Sequence, residues 1–126
     1  MILAGLNGFL AVALGAFGAH GLKGFLEGKE DAVQRLDWWT TAAHYHLTHA
    51  LALAAIAFIA SRTTSGLAKI SGWGFQLGIV LFSGSLYVMT LTGIRILGAV
   101  TPLGGLGLLV GWLCLLLAAR KLPTNE

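Results

Sequence analysis

Four stretches of this chain, Met1–Leu22, Trp38–Ser61, Ile70–Ile94 and Ile96–Ala119, contain no Asp, Glu, Lys or Arg, and they run 22, 24, 25 and 24 residues. A helix crosses a bilayer core of roughly 30 Å with about 20 apolar residues. All eight basic and five acidic residues fall between these stretches or beyond the last of them. The chain therefore reads as one domain over residues 1–126, with four membrane spans at about 2–22, 38–61, 70–93 and 101–120.

Composition supports lipid as the solvent. Charged residues make up 10% of the chain and apolar ones 56%, whereas ordinary soluble domains carry about 25% charged residues. Without water, the backbone must satisfy its own hydrogen bonds, which leaves helices or a closed barrel. Continuous apolar runs lacking a period of two exclude the barrel. The expected fold is all-α, a polytopic four-helix membrane bundle. A net charge of +3 would suggest nucleic acid for a soluble protein, but here the basic residues stand at membrane borders, where they anchor to headgroups. No nucleic-acid partner is expected. The first span lacks a basic leader and exceeds the usual signal-peptide core, so it is expected to be retained. Cys114 lies inside the fourth span and reads as a small buried hydrophobe.

The connections differ. Lys23–Asp37 holds seven charges, and the spacing of Phe25, Leu26, Ala32, Val33 and Leu36 predicts a short amphipathic helix on the membrane surface, leading into an interfacial anchor at Trp38 and Trp39. Arg62–Lys69 reads as a polar loop with Gly66 as its turn. Thr101–Pro102 reads as an N-cap followed by proline at the first helical position. Lys and Arg divide four against four between the two sides of the membrane. The amino terminus and the Arg120–Lys121 pair tip the expectation toward cytoplasmic termini in a cell membrane. Small residues four apart (Ala4/Gly8, Ala11/Gly15/Ala19, Gly74/Gly78, Gly107/Gly111) form ridges suited to close helix packing within one chain or between copies in a homo-oligomer.

Topology carries the polar residues of all four spans to one half of the bilayer. His20 ends the first span, Tyr45, His46 and His49 lie in the second, Ser83, Ser85, Tyr87 and Thr90 in the third, and Thr101 begins the fourth. At 100° per residue, Thr41, Tyr45, Thr48 and His49 share one helical face, with His46 about 60° from His49 and His44 pointing away. Gln76, Ser83, Tyr87 and Thr90 form a stripe expected to face the bundle. His49 lies some 15 Å beyond Trp39, near the bilayer centre, where an ionisable group suggests function. His20, His46 and His49 are the candidate metal ligands, three nitrogens suited to Zn or Cu. Tyr45, Ser83, Ser85, Tyr87 and Thr101 complete the polar intramembrane cluster. A neutral histidine bonded within the bundle would read identically. No phosphate loop, His-Glu-x-x-His motif, cysteine pair or buried carboxylate is present, and no cofactor is indicated.

Gly15-Ala16-Phe17-Gly18-Ala19-His20, Tyr45-His46-Leu47-Thr48-His49-Ala50-Leu51, Leu81-Phe82-Ser83-Gly84-Ser85-Leu86-Tyr87 and Thr101-Pro102-Leu103-Gly104-Gly105 with Gly111-Trp112 follow one another in that order. Together they resemble the signature of the YgdD/YwdK-type small membrane proteins, domain-of-unknown-function family 423, to which human transmembrane protein 256 is also similar. The resemblance implies a four-span inner-membrane protein and brings no settled activity. It also implies that glutamine is tolerated at the position of His46, leaving His20 and His49 as the firmer pair.

Three functions remain open. The favoured one is a non-enzymatic accessory, assembly or structural membrane component, whose polar cluster locks the bundle. The second is a metal- or cofactor-binding membrane protein using His20, His49 and His46. The third is a small oligomeric transporter with a path lined by the Gln76–Thr90 stripe.

Overall fold

Each charge-free stretch becomes a helix long and apolar enough to cross a membrane. The computed structural model describes residues 1–122 and carries four such helical stretches, Ile2–His20, Ala32–Ala60, Gly66–Thr92 and Arg95–Ala119. The elements are α1 (Ile2–His20), α2 (Leu22–Leu26), α3 (Ala32–Ala60), α4 (Gly66–Gly78), a widened π-type turn over Ile79–Ser83, α5 (Gly84–Thr92), a 3₁₀ turn over Arg95–Ala99, and α6 (Thr101–Ala119). Among the described residues there is no strand.

Local chemistry sets the boundaries, and in three places it moves them from where the sequence suggested. The surface helix between the first two spans is only α2, which buries Leu22 and Leu26. Gly28 takes a left-handed φ of 78° and breaks the chain there, so Ala32, Val33 and Leu36 belong to the first turns of α3. The polar loop ends at Ser65, whose hydroxyl accepts from the Leu67 amide at 3.4 Å and starts α4 at Gly66. The third crossing thus begins four residues earlier than expected. Thr101 is the first residue of α6 and Val100 its N-cap. The Thr101 hydroxyl bonds Ser85 Oγ at 2.8 Å rather than capping its own helix.

At 29 residues α3 is about 43 Å long, more than a bilayer core needs. Its first two turns therefore extend beyond the hydrocarbon, where Arg35 becomes a staple. Arg35 Nε donates to Asp31 Oδ1 at 2.8 Å and Nη1 to the Thr90 carbonyl at 3.2 Å, while Thr90 Oγ1 donates to the Arg35 carbonyl at 3.1 Å. Arg95 Nη2 reaches Asp31 Oδ2 at 3.4 Å. The hydrogen bond and charge of Arg35 hold the Asp31 carboxyl below its ordinary value. The staple joins the start of α3 to the end of α5. There Gly93, at φ 76°, closes the helix in a conformation that glycine adopts without strain.

Lipid tails are as apolar as leucine, so close packing must hold the helices together. Glycines provide it between α4 and α6. A Cβ on Gly74 would come within 2.9 Å of the Gly107 carbonyl oxygen and 3.0 Å of the Gly111 nitrogen. The ridges Gly74/Gly78 and Gly107/Gly111 therefore serve packing within the chain. On α1 only Ala4, Asn7 and Ala11 are buried, while Gly5, Gly8 and Gly15 face open space. Helix α1 packs chiefly on α3, and α6 chiefly on α4.

Candidate functional site

Helix α3 carries two buried histidines that turn to different neighbours. His46 faces α1 and α5: its Nε2 lies 3.3 Å from Asn7 Oδ1 and its Nδ1 lies 3.3 Å from the Tyr87 hydroxyl. The Asn7 amide orientation is fixed by the chain, because Asn7 Nδ2 donates to the Leu3 carbonyl at 2.7 Å and to Gln76 Oε1 at 2.9 Å. Asn7 Oδ1 can then only accept, so the proton of neutral His46 belongs on Nε2, and Tyr87 donates to Nδ1. Four helical segments are joined by this one directed chain of hydrogen bonds.

His49 takes the opposite tautomer. Its Nδ1 lies 2.7 Å from the Tyr45 carbonyl oxygen, an acceptor, so the proton is there. Its Nε2 lone pair receives the indole N–H of Trp112 on α6 at 3.1 Å. Both histidines are closed, with each ring nitrogen engaged by the protein.

Beside His49, α3 and α6 part to leave a groove of about 600 Å³, lined by Tyr45, Thr48, Phe82, Gly105, Leu109 and Trp112 among others. Phe82 lies in the widened turn and forms the floor. Tyr45 stacks on it at 4.4 Å between ring centroids and on His49 at 5.7 Å. A smaller cleft of about 260 Å³ between α1 and the third span is bordered by Asn7, His46, Gln76, Ser83 and Tyr87.

The histidines expected to share a metal are not brought together. Asn7 pairs with His46 and Leu14 with Trp39, through a 2.9 Å bond from the Trp39 indole to the Leu14 carbonyl. That antiparallel register carries His20, which is exposed, past Trp39 and away from His49. Among the described residues no three His, Cys, Asp or Glu side chains converge on one point. A ligand set of His20, His46 and His49 is therefore absent from this arrangement, because α3 directs His46 and His49 to opposite neighbours.

The expected polar cluster is divided as well. Tyr87 joins His46, Tyr45 lines the groove, and Ser85 pairs with Thr101 while donating to the Phe82 carbonyl at 2.9 Å. Ser83 Oγ is buried and has no partner among the described residues. Two members were not singled out from the sequence. Asn7 is the sole amide side chain in the first span, and that isolation was the available signal. Trp112 offered none beyond its place in the motif.

The family model described as "Protein of unknown function (DUF423)" matches residues 14–105. The membrane protein YwdK of Bacillus subtilis, designated UPF0382, is 47% identical over 122 residues, covering 96% of this chain and 95% of that protein. A UPF0382 membrane protein of Staphylococcus saprophyticus is 48% identical over 97% of each chain, and one of Haemophilus influenzae is 39% identical over 96% of this chain and 93% of its own. No solved structure matches. With near-complete coverage by relatives of this kind and a family model matched over residues 14–105, the chain belongs to the DUF423 family of UPF0382 membrane proteins.

Proposed function

We propose that this protein is a non-enzymatic accessory or assembly component of the cell membrane, whose intramembrane polar groups lock a rigid four-span body. The observation that supports this reading most directly is the closure of both buried histidines, each nitrogen of which is spent on Asn7, Tyr87, Trp112 or the Tyr45 carbonyl. Lone pairs used in this way do not ligate metal or abstract a proton. Gly5 and Gly8 on α1, where an added Cβ would meet nothing, leave room for close approach of a second copy or a larger membrane complex. Cytoplasmic termini belong to the same reading, with Arg62, Lys69, the Arg120–Lys121 pair and the amino terminus on that side.

The test is extraction from native membranes in mild detergent, with native mass and metal content measured on one sample. Migration as a homo-oligomer or larger assembly without stoichiometric metal is expected. A monomer carrying near-stoichiometric metal that is lost in His49→Ala would overturn the reading in favour of metal handling.

A further inference from the structure

The groove between α3 and α6 has the size of a small-molecule site and opens sideways to the bilayer. Its volume of about 600 Å³ lies within the range in which pockets hold a small ligand, roughly 300–1,000 Å³. The α6 wall is hollow at Gly105, where a Cβ would meet only the edge of the Phe82 ring, at 3.8 Å. On the α3 side Tyr45 is held in place by stacking on Phe82 and His49, with ring centroids 4.4 and 5.7 Å apart. The widened turn that carries Phe82 is of a kind that recurs at functional sites.

Hydrogen-bond complementarity identifies the occupant. Tyr45 and His44 both border the groove, and among the described residues neither the Tyr45 hydroxyl nor the His44 ring has a hydrogen-bond partner. Tyr45 lies about 9 Å along α3 from Trp39, inside the apolar span. Donors there require an acceptor that lives in hydrocarbon. A phospholipid holds its ester oxygens at the interface, and its chains bring none. A flat ring bearing carbonyl oxygens on an apolar tail brings both the stacking face and the acceptors. We propose that this groove binds a quinone-type amphiphile from the bilayer, with its ring against Trp112, its oxygens accepting from Tyr45 and His44, and its tail along Leu106 and Leu109. The site stands independently of the accessory role above.

The experiment titrates a decyl-substituted benzoquinone into the full chain in saturated phosphatidylcholine nanodiscs and follows quenching of tryptophan fluorescence, to which Trp112 contributes from the groove wall. A saturable component is expected in the wild type. Gly105→Leu, which fills the hollow, should weaken it about tenfold or more, and Tyr45→Phe about three- to tenfold, the effect of one hydrogen bond. Quenching that never saturates overturns the proposal, as does equal affinity in Tyr45→Phe. So does equally strong competition by decylbenzene, which has the ring and tail without the oxygens. Should Gly105→Leu fail to fold, Tyr45→Phe and the decylbenzene competition decide.

Discussion

Trp112 donates its indole N–H to His49 Nε2 at 3.1 Å, and this bond ties α6 to α3 across a place where the two helices otherwise stand apart. A hydrogen bond between membrane helices contributes about 0.6 kcal/mol on average and up to about 1.7. Trp112→Phe keeps most of the ring and removes only the donor, leaving the buried Nε2 without a partner. A double-mutant cycle of Trp112→Phe with His49→Phe, read by unfolding in bicelles, should give a coupling of about 1 kcal/mol. Strict additivity would show that the bond carries no weight.

Asn7 is the fastening of α1. Its amide joins Leu3, Gln76 and His46, and α1 otherwise buries only Ala4 and Ala11. Asn7→Leu should destabilise the bundle by about 1–3 kcal/mol, because His46 Nε2–H is left buried without an acceptor. Asn7→Asp should also destabilise, since the oxygen that replaces Nδ2 would face the Leu3 and Gln76 carbonyl oxygens without a donor while the other keeps only the His46 Nε2–H. Protease sensitivity of the α1–α2 connection, compared across the three proteins, checks both losses.

Neighbouring glycines on α6 should respond differently. A Cβ on Gly104 would overlap the backbone of Phe82, whereas one on Gly105 finds ordinary contact with the Phe82 ring. Gly104→Ala is expected to cost about 1–3 kcal/mol and Gly105→Ala to stay within about 0.5 kcal/mol of the wild type. Equal effects in denaturant unfolding would contradict the packing described for α6 against the widened turn.

Acid should loosen the interfacial staple. The Asp31 carboxyl is held below its ordinary value of 3.8 by Arg35, so its contribution is present above that value and is lost as pH falls through the depressed folded one. Melting temperature should therefore decline more steeply in acid for the wild type than for Asp31→Asn, with the difference confined to pH below about 5. Parallel profiles would show the contact to be thermodynamically silent.

The spans were legible because charge cannot be hidden in lipid, and every Asp, Glu, Lys and Arg marks a border or an end. The site was legible only in part. A helical wheel placed His46 and His49 about 60° apart, close enough on paper to share an ion. In the folded bundle that angle straddles the line along which α3 meets the third span, and it sends His46 to α1 and His49 to α6. Side-chain partners depend on which helix lies across each face, and periodicity within one segment does not carry that information. The widened turn at Ile79–Ser83 escaped for a related reason, since its residues repeat the apolar pattern of the helix on either side. Asn7 was readable in hindsight as the lone amide of its span, while Trp112 became meaningful only once His49 lay opposite it.

The separate packing of α1 on α3 and of α6 on α4 has a consequence for biosynthesis. A nascent chain that has released α1 through α5 into the bilayer already holds Asn7, His46, Gln76 and Tyr87, so the directed hydrogen-bond chain can close while the ribosome is still making α6. The glycine contacts of α4 and the indole bond to His49 must wait for the last helix to arrive. Until it does, the face of α3 that bears Tyr45 and His49 stays open to lipid, which makes arrival of the final span the step that creates the groove.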